Sequence, residues 1–239
     1  MLEKIYTIPV NEAIDAVTAN PSEGCPFCKL YRKLENDEIE IILGASMMEP
    51  DVRIKTNEQG FCGRHFDMMF ERNNRLGLAL ILESHLSEVR KLCEPGGLFG
   101  MKTQKIPEKL GRLEKSCYVC GRIEHSFGKM VENTVYLYET ESDFRKKMSA
   151  LPYICLPHYR KLLESASEHM NKKMLPDFQK AVAEVVNGYF DELRADVSHF
   201  CKKFDYRYEN EPWGNSKDSV ERAIRFVSGD RRTKPDKQK

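Results

Sequence analysis

Four short cysteine and histidine motifs constrain this chain more than any other feature. Cys25-Pro-Phe-Cys28 is followed by Cys62-Gly-Arg-His65, and Cys117-Tyr-Val-Cys120 by Cys155-Leu-Pro-His158. A CxxC and a CxxH therefore occur twice, in the same order. Their starts lie 37 residues apart in the first copy and 38 in the second, and the copies are offset by 92 or 93 residues. So regular a period reads as duplication of one module. The set uses six of the eight cysteines in the chain.

A two-residue spacer lets the chain turn once around a metal ion, bringing both donors of a motif within reach. At a helix start, positions i and i+3 share a face, and unpaired first-turn N–H groups can point at a thiolate. The helix N-terminus also lowers a cysteine pKa toward the ligating form. Pro26 and Pro157 suit a first helical turn, where a missing N–H costs nothing. One CxxC joined to one CxxH supplies three thiolates and an imidazole, the closed tetrahedral set that structural zinc prefers. The expected ligands are Cys25, Cys28, Cys62, His65, Cys117, Cys120, Cys155 and His158, holding two zinc ions.

Covalent haem needs a histidine directly after CxxC, where Lys29 and Gly121 stand. Iron–sulfur clusters usually take four thiolates, so histidine in both sets disfavours them without excluding them. A thioredoxin-like redox motif would leave the repeated CxxH unexplained. Which CxxC joins which CxxH stays open. Pairing within each repeat is favoured because each module then folds alone, but a crossed arrangement would have the same local pattern.

Compartment decides what cysteines can mean. The first ten residues, Met1 to Val10, carry charge and a proline and hold no apolar run of signal-peptide length. The best apolar window, Leu76 to Leu82, is soon broken by Glu83, Ser84 and His85, so no membrane span is expected. The expectation is a cytoplasmic protein with thiols or metal ligands and no disulfide framework. With 38 basic and 37 acidic residues the net charge is +1, too little to support polyanion binding, and nucleic acid is not an expected partner.

After each CxxC runs a helical apolar pattern: Phe27, Leu30, Tyr31, Leu34, Ile39, Ile42 and Leu43 in the first copy, and Ile123, Phe127, Met130, Val131, Thr134, Val135 and Tyr138 in the second. Further helices begin after each CxxH, at Phe66, Met69, Phe70 and at Tyr159, Leu162, Leu163. The clearest stripe, Phe178, Val182, Val185, Val186, Tyr189, Leu193, Val197 and Phe200, predicts a helix from Leu175 to Phe200. No segment alternates like a strand. The expected fold is mainly α, with two similar helical modules, each holding a CxxC…CxxH metal site, and a C-terminal helical extension. Residues 1–93 form the first module, 94–116 a linker marked by its Gly/Pro cluster, and 117–200 the second module. Residues 201–228 form a docking segment with a helix from about Ser219 to Val227, and 229–239 a disordered basic tail. The modules are expected to pack as a single domain.

The remaining candidates receive plainer readings. Cys93 and Cys201 do not match each other across the repeat and are expected to be buried, unligated thiols. His85, His125, His169 and His199 read as helix-surface or core residues, with His125 close enough in sequence to support a ligand. Arg64, inside the first CxxH, is assigned no catalytic role.

On the four metal motifs, on Gly60-Phe-Cys-Gly-Arg-His65, and on the closing Phe204-Asp-Tyr-Arg-Tyr-Glu-Asn-Glu-Pro-Trp-Gly214, the chain resembles an uncharacterised prokaryotic domain-of-unknown-function family, family 6062, from Thr7 to about Gly229. The resemblance supports the ligand set, supplies no reaction, and implies that Tyr206 to Trp213 belongs to the domain, where aromatic residues and Pro212 would dock the last helix. The chain has no GxxxxGK[ST], HExxH or GxSxG. A protein-interaction or scaffold role with a protein partner is therefore expected first. The alternatives are an enzyme with a pocket between the modules, or a thiol/zinc redox sensor.

Overall fold

A computed structural model describes residues 4–93 and 106–230. Among the described residues there are eleven α-helices and no strand: α1 (Thr7–Ala19), α2 (Pro26–Leu43), α3 (Pro50–Gln59), α4 (Gly63–Glu71), α5 (Arg75–Cys93), α6 (Ile106–Glu114), α7 (Tyr118–Thr140), α8 (Ser142–Ser149), α9 (Leu156–His169), α10 (Leu175–Lys202) and α11 (Ser219–Ser228). None is long and apolar enough to cross a membrane. The chain divides into two compact units, one made of Met1–Arg32 with Phe127–Lys239, the other of Lys33–Ser126. Both divisions fall inside helices, α2 and α7.

The discontinuous unit takes its core from helices far apart in sequence. Val10, Ile14 and Val17 of α1, Phe27 and Leu30 of α2, Phe127 and Val131 of α7, Phe144 of α8, Leu162 of α9 and Phe178 of α10 are buried. Each side chain of this size contributes about 1.5–3 kcal/mol on full burial. The α10 stripe follows its period: Phe178, Val182, Val186 and Leu193 are buried, Val185, Tyr189, Val197 and Phe200 are half-buried, and Lys180, Glu184 and Asp191 face water. α10 packs on α8, α9 and α11. α11 is seated by Phe226, whose ring meets Tyr189 at 5.3 Å and Phe190 at 6.0 Å.

The continuous unit is built from the second half of α2, then α3 to α6 and the first turns of α7. Ile39, Ile42, Met69, Leu78 and Ile81 form its interior, and α3 and α4 both pack on α5. Asn74 starts α5 by accepting from the Gly77 N–H at 2.9 Å, and its own amide donates to the Leu43 carbonyl at 2.6 Å. That polar tie joins the end of α2 to the start of α5.

The expected Gly/Pro linker lies mostly in 94–105, outside the described residues, and its last part is the helix α6. Cys93 and Cys201 are exposed, not buried, because each stands at the solvent side of a helix end. In the segment after α10, docking rests on fewer groups than expected. Trp213 packs on Phe200 at 5.7 Å, the Lys203 ammonium donates to the carbonyls of Tyr208, Glu209 and Glu211 at 2.6–2.7 Å, and Tyr206 stays 84% exposed.

Candidate metal centres

Each of the four motifs occupies the N-terminal end of a helix: α2, α4, α7 and α9. The first cysteine precedes the helix and its carbonyl accepts the first helical bonds, as in His65 N–H and Phe66 N–H to the Cys62 carbonyl, both 3.0 Å, and Tyr159 N–H to the Cys155 carbonyl, 2.9 Å. Cys62 and Cys155 both have the extended backbone of a capping residue. The second donor of each motif then falls in the first turn on the same face. The prolines fit this geometry: Pro26 begins α2 and Pro157 is the second residue of α9.

The motifs converge in pairs, across the repeats. Cys25, Cys28, Cys155 and His158 form one cluster, and Cys62, His65, Cys117 and Cys120 the other, with the donor atoms of each set within 4.8 Å of one another. All eight expected residues are thus gathered into two groups of four. Pairing within a repeat, the arrangement favoured from sequence, is overturned. A CxxC helix start meets the CxxH helix start of the other copy, so Cys28 lies 127 residues from Cys155 in the chain. Each cluster lies wholly within one compact unit, the first in the discontinuous unit and the second in the continuous one.

The spacing of the donors matches a four-coordinate ion. A tetrahedral centre with metal–sulfur bonds of about 2.3 Å and metal–nitrogen bonds of about 2.0–2.1 Å has edges of roughly 3.8 Å between sulfurs and roughly 3.6 Å between sulfur and nitrogen. In the first cluster Cys28 Sγ is 3.5 Å from Cys155 Sγ, and His158 Nδ1 is 3.1, 3.4 and 3.8 Å from Cys155, Cys28 and Cys25. In the second, Cys62 Sγ is 3.9 Å from Cys120 Sγ, and His65 Nδ1 is 3.2, 3.2 and 3.5 Å from Cys62, Cys117 and Cys120. A disulfide would need about 2.05 Å between sulfurs. All the cysteines are free.

Charge supports the same reading. A divalent ion with three thiolates and a neutral imidazole carries one net negative charge. Two helix N-termini converge on each cluster, each equivalent to roughly half a positive charge. Protons alone serve the first cluster poorly: burial pushes the Cys25 thiol far above its ordinary range. Cys155 is lowered by its contact with Cys25 but raised more by Cys28 and by burial, to about 12. Buried thiols that resist ionisation in this way would act as ligands only with a cation among them to hold the thiolate form.

The two clusters differ in their surroundings. The first is buried throughout, and the His158 ring lies 5.1 Å from Phe127 and 6.1 Å from Phe27. In the second, Cys62 and Cys120 are half-buried. There His65 Nε2 faces the Glu35 carboxylate at 3.2 Å, and Arg64 grips both Glu35 oxygens at 2.7 Å. Burial opposes charge on His65, but Cys117 and Glu35 outweigh it and raise its pKa to about 10. Burial raises the Glu35 pKa, yet Arg64 and His65 more than reverse this and hold it at about 2. Burial likewise opposes ionisation of Cys117, but the hydrogen bond from His65 carries its thiol below the ordinary range.

Gly60 helps align the second cluster. Its φ of 60° and ψ of −158° suit glycine almost alone, and its carbonyl accepts the Tyr118 N–H at 3.0 Å, joining the segments that lead into the two motifs.

Three supporting residues escaped sequence reasoning. Glu35 meets His65 and is itself held by Arg64, and Asp230 donates its backbone N–H to Cys28 Sγ at 3.3 Å. Asp230 falls in the stretch expected to be a disordered tail; it is buried and paired with Arg32 at 2.6 Å, while residues 231–239 of that tail lie outside the described residues. Glu35 carried a usable signal, since it interrupts an apolar helix face at a buried position. His125 is exposed and lines an open cavity of about 450 Å³ with Lys55, Gln59 and Arg122, so the support expected of it falls to Glu35. His85 is buried against the Asn57 carbonyl at 3.1 Å, and His199 meets the Pro212 carbonyl at 3.0 Å.

No curated protein and no solved structure matches the chain. The match that carries identity spans nearly the whole length and includes every residue of both clusters: across residues 1–234 the chain belongs to the family of unknown function DUF6062.

Proposed function

We propose that each cluster holds one structural zinc ion and that the protein is a zinc-braced helical scaffold for a protein partner. The observation that carries this reading is the closed donor set: four protein ligands at tetrahedral edge lengths at each centre, which leaves no coordination position for water or substrate. Three thiolates and an imidazole favour zinc over the harder cations, and the histidine disfavours an iron–sulfur cluster. Bound zinc supplies a fixed crosslink between two helix starts, worth on the order of 10–16 kcal/mol of apparent binding free energy. That is comparable with the entire ~5–15 kcal/mol stability of a domain.

The scaffold half of the proposal draws on the surface. Val220, Ile224 and Val227 lie at helical spacing on α11 and are all exposed, which leaves an apolar stripe on a seated helix. The near-neutral charge suits a protein partner better than a polyanion.

Metal analysis of purified protein tests the first half, with cobalt substituted for zinc to read geometry. Two ions per chain with tetrahedral thiolate spectra are expected, and a centre with bound water would overturn the structural assignment. Photo-crosslinking from Ile224 in cells tests the second half. One defined protein adduct is expected, and no adduct from any position of the stripe would sink the scaffold role.

A further inference from the structure

α11 is capped by Gly229, whose φ of 80° and ψ of 155° lie in a region that glycine alone populates freely. This turn directs the chain back to the first cluster. The next amide, that of Asp230, donates to Cys28 Sγ at 3.3 Å, and the Asp230 carboxylate, 3% exposed, meets the Arg32 guanidinium at 2.6 Å. Arg32 stands one helical turn beyond Cys28 on α2. On the other side, a Cβ at Gly229 would lie 3.7 Å from Pro157 and 4.0 Å from Cys155 Sγ. These two residues therefore bond to Cys28 of the CxxC and to Arg32 beyond it, and pass beside Cys155 and Pro157 of the CxxH. Among the described residues, the second cluster receives no backbone donor of this kind from outside its motifs. Its backbone donors to Cys117 Sγ, the Cys120 N–H at 3.5 Å and the Cys62 N–H, both belong to its own motifs.

Building on the zinc reading of this cluster, we infer that the Gly229–Asp230 turn is a latch that closes the first site and couples its metal occupancy to the docking of α11. The coupling has a physical source. A hydrogen bond to an anionic sulfur is roughly twice as strong as one to a neutral thiol, and the sulfur is anionic when it binds metal. The latch thus favours the loaded state. By linkage, whatever the latch adds to metal affinity, the metal adds to latch closure. The free energy reaches α11 through the helix's own Phe226, which is buried in the docked helix against Tyr189 and Phe190.

The test uses the full chain loaded with an NMR-active cadmium isotope, which gives one resonance per site, assigned with Cys155→Ser. A chain ending at Ser228 should lose cadmium from the first site to a chelator about 10–100-fold faster than the full chain, the range typical of lost support around a ligand. The second site should keep its rate, and so should both sites in a chain ending at Asp230. Asp230→Asn keeps the N–H donor but weakens the ion pair, so it should accelerate release less. Gly229→Ala in the full chain gives the same readout should the truncated chain fold poorly. Hydrogen exchange supplies the reciprocal measurement, with α11 amides exchanging faster once cadmium is removed. Equal release from the chain ending at Ser228 and the full chain, or α11 exchange indifferent to metal, overturns the latch. Absence of a first-site resonance in the unaltered chain overturns the metal reading beneath it instead.

Discussion

The two clusters use the same four ligand types, in the same motifs, on the same kind of helix start, yet they are enclosed differently. The first is sealed by phenylalanine rings and by the turn that follows α11. The second is half open and held by a carboxylate and a guanidinium. A shared ligand set therefore does not imply shared lability. Enclosure governs how fast an ion or an oxidant reaches the sulfurs, whereas the Glu35–His65 contact governs how well one ligand is oriented and how basic it is.

The sharpest way to break this comparison is to test the crossed pairing on which it stands. Cys28→Ser with Cys155→Ser removes two ligands of one centre, so one zinc per chain should remain by elemental analysis. Cys28→Ser with Cys62→Ser removes one ligand from each centre and should leave essentially none. Pairing within the repeats predicts the reverse outcome for these two double variants.

A smaller effect is expected from Glu35→Gln. Metal affinity at the second cluster should fall about 10–100-fold in competition titrations, with the first cluster unchanged. An equal loss at both clusters would show that Glu35 acts on overall stability and not through His65.

Reactivity should separate the clusters further. Under mild peroxide or a limiting alkylating agent, mass spectrometry should find Cys62 and Cys120 modified before Cys25, Cys28 and Cys155, because only the former are half-buried. The opposite order would mean that metal binding strength, and not enclosure, controls access.

The smallest signal is a proton equilibrium in metal-free protein. The His65 pKa is raised from 6.5 to about 10, so its favourable contacts are fully present below pH 6.5 and are lost as pH rises toward 10. NMR titration of the ring should show this high midpoint, and Glu35→Gln should bring it down. An unshifted midpoint in that variant would leave Cys117 as the group that sustains it.

Much of this centre was legible from sequence, for a local reason. CxxC and CxxH specify geometry within one helical turn, so Cys25 to Cys28 and Cys155 to His158 could be read without any fold. The helices were legible because α10 and α7 repeat apolar residues at the helical period. The crossing was not, because both pairings leave every local spacing identical and only the packing of α2, α4, α7 and α9 separates them. Asp230 was invisible for the opposite reason: its neighbours, Gly229 and the basic residues after it, have the composition of a frayed end. One backbone N–H and one carboxylate bury it, and neither leaves a periodic trace.

The crossed pairing also orders events during synthesis. The second cluster draws its ligands from residues 62–120, nested inside the 25–158 span of the first. A ribosome adding ~5–20 residues per second completes the inner set while the partners of Cys25 and Cys28 are still unmade. Counted from their own synthesis, those two thiols wait on the order of ten seconds for Cys155 and His158, and longer for Asp230. The site that ends as the better protected of the two is, on the nascent chain, the one exposed for longest.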